Sequence, residues 1–194
     1  MTETASTSER IYQCALAILE DEGPQAVSMR RIAREIGITP MAIYHHFPSR
    51  EALLDKVVDT EFERLAGFFR QPVKGSTAAA RIVHIMDGYM DYALAHPRIF
   101  DYVFASPRPG ARRFPEDFRA RGSPTLNVVA DALRDWMKTG ELKRDDVWEL
   151  AMALWAHAHG YLALYRGGRF NLTEDQFRKL VRRSLRRFFH GLKA

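Results

Sequence analysis

Residues 23–54, GPQAVSMRRIAREIGITPMAIYHHFPSREALL, carry three helix starts and one helix stop in a single short run. Ser28 precedes the apolar stripe Met29, Ile32, Ala33 and Ile36, whose steps of three and four residues are helical. Gly37 follows where a residue at positive φ ends a helix without steric cost. Thr39 then caps a second helix, and Pro40 takes its first position, where a missing N–H is harmless. Ile43 and Phe47 form the inward side of this short helix, and Met41, Tyr44 and His45 its outward side. Ala33 is small where two helices must cross closely, and Ser49 opens the next helix with Arg50 and Glu51. Every local choice agrees with its neighbours, which predicts a helix-turn-helix.

The remaining chain reads as helix throughout. A first helix is expected from about Ser6 to Asp21, with Ile11, Ala15, Ile18 and Leu19 buried. The helix opened by Ser49 carries Leu54, Val57, Val58, Phe62, Leu65, Phe68 and Phe69 up to Pro72, long enough to leave the first unit and enter a second. Helices follow over Thr77–His96, Ile99–Ala105, a stretch around Leu126–Met137, and from Asp145 or Asp146 to Tyr165. Between them, residues 106–123 read as a solvated irregular crossover rich in Pro, Gly and Arg. The last helix, after Thr173, has the unbroken apolar stripe Phe177, Leu180, Val181, Ser184, Leu185, Phe188, Phe189 and Leu192, with arginines opposite. The fold class expected is all-α: a three-helix helix-turn-helix unit at residues 6–50 and a helical second domain at 51–194, to which the family resemblance given below assigns DNA binding and regulation with dimerisation respectively.

Composition removes several classes of function. With 194 residues and 46% hydrophobic content, a core is assured. The single cysteine, Cys14, rules out a disulfide framework, and MTETASTSER lacks a basic or apolar leader, so a reducing cytosol is expected. The apolar stretch Ala151–Tyr165 is interrupted by two histidines and a glycine, so no membrane span is expected. No nucleophile elbow, phosphate-cradling loop or HExxH motif is present, and neither an enzyme nor a cofactor is expected. No metal site is expected either: His157 and His159 are two apart on a helix, and His45 and His46 diverge by about 100°. The net charge of +5 is concentrated in two places. Arg30, Arg31, Arg34 and Arg50 face Glu35 alone, an excess suited to phosphate, and the last helix holds a larger one.

The segments Ile32-Ala33-Arg34-Glu35-Ile36-Gly37, Tyr44-His45-His46-Phe47 and Ser49-Arg50-Glu51, with Gly23 ending the first helix, resemble the TetR family of transcriptional regulators. The pattern covers the first third of the chain. Farther on, Trp155-x-x-x-His159-Gly160 resembles the "WHG" signature of one TetR C-terminal subfamily. The resemblance implies a homodimeric repressor of a palindromic double-stranded operator, released by a small molecule held in the second domain.

The outward positions of the motif assign base contacts to Arg30, Thr39, Pro40, Met41 and His45, with Arg30 suited to a bidentate guanine contact. Tyr44 and Arg50 are assigned to phosphates. A ligand pocket is expected from Phe62, Leu65, Met86, Tyr89, Met90, Trp155 and His159, although these residues serve equally well as plain core. The dimer seam is expected at Leu154, Trp155, Leu162, Leu185, Phe188 and Phe189. Two alternatives remain open on the residues alone: a basic amphipathic protein on membrane surfaces, and a small-molecule-binding helical domain without specific DNA binding.

Overall fold

The structure, a computed structural model, describes residues 6–72, 77–105, 107 and 110–192, and its regular elements are helices. They are α1 (Thr7–Glu22), α2 (Met29–Ile36), α3 (Pro40–His46), α4 (Arg50–Phe69), α5 (Ala78–Ala95), α6 (Pro97–Phe100), α7 (Glu116–Arg119), α8 (Pro124–Lys138), α9 (Val147–Arg166) and α10 (Glu174–His190). The starts are chemical. The side chains of Ser6, Ser28, Thr39, Ser123 and Thr173 each accept a backbone N–H in the first turn of their helix, and Thr173 and Gln176 complete a reciprocal capping box. Gly37 ends α2 in the left-handed conformation at φ 72°.

The chain forms two compact units. The first runs from α1 to Glu63 within α4 and takes in the residues from Ala95 through α6 and the π-helical turn Asp101–Ala105; the second holds Arg64–Leu94 and the chain from α7 onward. α4 is continuous through both units, and the 97–105 segment belongs with α1.

Within the first unit, Ile11, Ala15, Leu19, Ile32, Ile43, Leu53 and Val57 are fully enclosed. The buried Glu61 carboxylate accepts a hydrogen bond from Tyr12 Oη at 2.9 Å, a polar tie between α4 and α1. His96 Nδ1 lies 3.0 Å from Glu20 Oε2, and Arg98 donates to the Glu20 carbonyl, so α6 is fastened to the C-terminal part of α1.

In the second unit, α5, α8, α9 and α10 share one core. Trp136 of α8 is 1% exposed and meets Phe189 of α10 edge-on at 5.1 Å, while Tyr165 of α9 stacks on Phe177 at 4.1 Å. A Cβ at Gly88 would collide with the Phe68 ring, so glycine is what lets α5 approach the end of α4. The 110–123 segment departs from its expected character. It contains α7, buries Phe118, and is pinned by Arg121 on Asp131 and by Asn127 on the Arg121 carbonyl. No described helix is long and apolar enough to cross a membrane.

Candidate nucleic-acid interface

Three local devices hold α2 and α3. Arg31 Nη1 and Nη2 donate to Glu22 of α1, and its Nε donates to Glu35 at 2.7 Å. Arg10 Nη2 donates to the Ile36 carbonyl at 2.6 Å, satisfying an end of α2. Arg50 Nε donates to the Val27 carbonyl at 2.8 Å and its Nη2 to the Pro24 carbonyl. The charge excess read from the sequence is therefore only half available. Arg31 and Arg50 are struts, whereas Arg30 and Arg34 are exposed with no hydrogen-bonded or ion-paired partner among the described residues. This corrects the assignment of Arg50 to phosphate, because its guanidinium is turned to backbone carbonyls of its own unit. Arg10 was missed by sequence reasoning, since nothing local marks an arginine that caps a helix far along the chain.

The outward surface that remains is what a groove-binding helix presents. Met41 is 68% exposed and Tyr44 49%; Thr39, Pro40, His45 and His46 are exposed as well. The Thr39 oxygen caps α3 through the Ala42 N–H, which leaves its hydroxyl proton available as a donor. Ile43 and Phe47 face inward.

Cys14, at the α1–α2 contact, donates to Glu35 at 3.3 Å. Burial, reinforced by that hydrogen bond, pushes its thiol up to about 11, which keeps it protonated and unreactive near neutrality.

In the second unit the structure brings Tyr89, Trp155 and His159 together. Trp155 Nε1 donates to Tyr89 Oη at 2.8 Å, and the same oxygen lies 2.9 Å from His159 Nδ1. Desolvation pushes the Tyr89 phenol far up, so it stays neutral. Met86 and Met90 are buried on the same helix as Tyr89, Leu65 is buried on α4, and Phe118 stands 6.3 Å from Trp155. Phe62 belongs to the first unit, where it packs edge-on against Phe104.

The expected dimer seam is corrected by burial. Leu154, Leu162 and Leu185 are 0% exposed and Phe189 4% in the single chain, so they are its own core; Trp155 and Phe188 are half-buried. Of the apolar stripe of α10, Phe177, Val181, Leu185 and Phe189 are buried, Phe177 against α9 and Phe189 against α8, while Leu180, Ser184, Phe188 and Leu192 are half-buried. Between Glu149 and Arg166, which are themselves exposed, α9 leaves Ala153, Ala156, Gly160, Ala163 and Leu164 open to solvent, a stretch without a charge. Among the described residues, no group of three His, Cys, Asp or Glu is placed to hold a metal ion.

Comparison with known proteins decides the family. A model described as bacterial regulatory proteins, tetR family, matches residues 11–57, and one described as tetracyclin repressor-like, C-terminal domain, matches residues 82–188. The HTH-type transcriptional regulator UidR of Escherichia coli (strain K12) is 36% identical over 148 residues, covering 74% of this chain and 73% of UidR. The chain belongs to the TetR family of transcriptional regulators. Two solved structures share the fold of this TetR-family regulator. A protein of unknown function from Rhodococcus sp. RHA1 superposes with TM-score 0.83 at 24% identity, covering 100% of this chain and 98% of that one. FadR from Bacillus subtilis, solved in complex with stearoyl-CoA, gives 0.70 at 14% identity over 94% of this chain and 98% of FadR. The regulator thus carries a DNA-binding domain of the TetR type.

Two expected results test the placements in this TetR-family regulator. Arg50→Ala leaves the carbonyls of Pro24 and Val27 without this donor, a loss of about 1–3 kcal/mol. The melting temperature should fall, and Arg50→Lys should not restore it, because an ammonium lacks the fork. Unchanged melting with a DNA-binding salt slope shallower by about one would return Arg50 to the phosphate. His157 of α9 packs between Tyr161 and Phe188, and its buried Nε2 has no hydrogen-bond partner among the described residues. Desolvation alone holds its imidazole below the ordinary value. The folded chain then binds fewer protons than the unfolded one, so stability is full above about pH 6.5 and declines as pH falls from there toward the depressed value. Thermal melts at several pH values should show this acid loss in the parent and a smaller loss in His157→Gln; identical profiles would discard it.

Proposed function

We infer that this chain is a homodimeric, effector-responsive repressor acting in the cytoplasm on a palindromic operator. Its DNA-binding domain is residues 6–50 and its regulatory domain 51–194. The observation that carries the reading is the outward surface of α2 and α3, where large hydrogen-bonding side chains stand exposed on helices braced from behind. Arg30, Thr39, Pro40, Met41 and His45 read base edges in the major groove, and Tyr44 holds phosphate. Repression follows from occupying the operator.

The uncharged face of α9, with the neighbouring half-buried residues of α10, supports the two-fold seam, which gives the operator its symmetry. The hydrogen-bonded Tyr89, Trp155 and His159 support a small-molecule site in the second unit, with Leu65, Met86 and Met90 as its apolar part. FadR, which shares the fold, holds an acyl-CoA in its solved structure. A ligand there acts on α4, which continues into the first unit. The ligand needs about 1–3 kcal/mol of differential affinity between DNA-binding and released states, and the coupling is reciprocal.

Selection of duplexes from a random pool by the purified chain tests the reading. Enrichment of an inverted repeat is expected, and recovery of no preferred sequence overturns it. Thermal-shift screening of metabolites should find compounds that raise the melting temperature and displace the selected duplex, with a response reduced in Tyr89→Phe. Hits that stabilise the protein equally when DNA is bound would end the ligand-switch part alone.

A further inference from the structure

The basic excess of α10 is not accounted for by its packing. Arg178 reaches Asp91 and Glu174, and Arg182 reaches Asp87, so the flank of α10 facing α5 is neutralised. Lys179, Arg183 and Arg186 stand exposed in one column on the far side, with no hydrogen-bonded or ion-paired side-chain partner among the described residues, and His190 extends the column by another turn. Lys143 N–H donates to the Leu192 carbonyl at 3.0 Å, which sets the exposed Lys143 and Arg144 beside the end of the same helix. After Asp175 the chain has no acidic residue. Like charges three and four apart destabilise a helix, and solvent faces ordinarily intersperse both signs. The helix dipole favours cations in the last turn alone, which covers Arg187 and His190 but not Lys179, Arg183 or Arg186.

We propose that the Lys179–Arg183–Arg186 face of α10 is a second, sequence-independent contact for the phosphate backbone of duplex DNA, so that a molecule seated on its operator also holds a neighbouring duplex. The column from Lys179 to His190 is about 16 Å long, and forked guanidinium donors suit phosphate oxygens. Phe177, Val181, Leu185 and Phe189 of α10 are buried in its own unit, and the Lys179–Arg183–Arg186 face carries no apolar side chain to insert into a lipid surface. Duplex DNA is already the polyanion this regulator meets. The proposal rests on the reading of the chain as a specific DNA binder.

The test compares the full chain with its K179Q/R183Q/R186Q variant, checked for unchanged helicity and melting. Each is measured on a short duplex carrying the selected operator and on a long duplex lacking it. For the variant, the slope of log affinity against log salt on the long duplex should be shallower by about 2–3, the number of lost phosphate contacts times about 0.9. Affinity for the short operator should stay within about twofold. Protein held on immobilised operator should capture a second labelled duplex, and the variant should not. Equal slopes and equal capture by both proteins would overturn the proposal while leaving operator recognition intact. Failure of the parent to prefer any sequence would overturn the DNA reading beneath it. Binding of the parent to phosphatidylglycerol vesicles, with no second duplex captured, would replace DNA with a lipid surface and also overturn the proposal.

Discussion

Gly160→Glu should yield a folded monomer that has lost operator binding. Gly160 lies on the exposed, uncharged face of α9, and a Cβ there meets nothing within 4 Å in the single chain. The substitution also replaces the weaker helix former, so within one chain it should be neutral or slightly stabilising. At a two-fold seam the same carboxylate is buried twice without a partner, a cost of several kcal/mol. Each 1.4 kcal/mol is tenfold in the dissociation constant, so dimerisation should weaken by about a hundredfold or more. A monomer holds one half-site and forfeits the linked second one, typically worth about 10²–10⁴ in affinity. Sedimentation and operator titration measure both effects. A variant that still sediments as a dimer would move the seam off α9.

Arg30→Ala should relax one position in each half-site of the selected operator. Arg30 is exposed at the start of α2 with no hydrogen-bonded or ion-paired partner among the described residues, so its loss should leave the fold untouched. A bidentate guanine contact discriminates by about 1–3 kcal/mol, and a palindrome counts it twice, about 2–6 kcal/mol of operator affinity. Non-specific affinity should change little beyond one lost charge. Repeating the duplex selection with the variant checks this. An unchanged motif would remove Arg30 from the base-reading set.

Legibility of the chain varied with the range of the forces involved. Ser28, Thr39 and Thr173 were readable as caps, and Gly37 as a stop, because a cap is a contact between residues three apart and the left-handed turn is a property of one residue. The family signature lay in the same short-range pattern. The role of Arg31 was not readable: it looked like a phosphate ligand until Glu22 was seen beside it, brought there by the turn between α1 and α2. Arg50 was misread for the same reason, its carbonyl partners lying 23 and 26 residues away. Phe118 was hidden in a stretch whose prolines, glycines and arginines read as solvent-facing.

By itself the sequence determined the helices other than α7, their caps, the inward side of α3 and the regulator family, since each follows from spacing and backbone preference along a few turns. The partner of each buried face was decided by the tertiary structure alone. Periodicity shows that Leu154, Leu185 and Phe189 must leave water, but burial is non-directional. Their own chain and a second copy satisfy it equally. Only the packing of α8, α9 and α10 shows that the chain encloses these residues itself. The same packing turns the small uncharged residues of α9 outward and leaves Lys179, Arg183 and Arg186 of α10 exposed without an ion pair among the described residues.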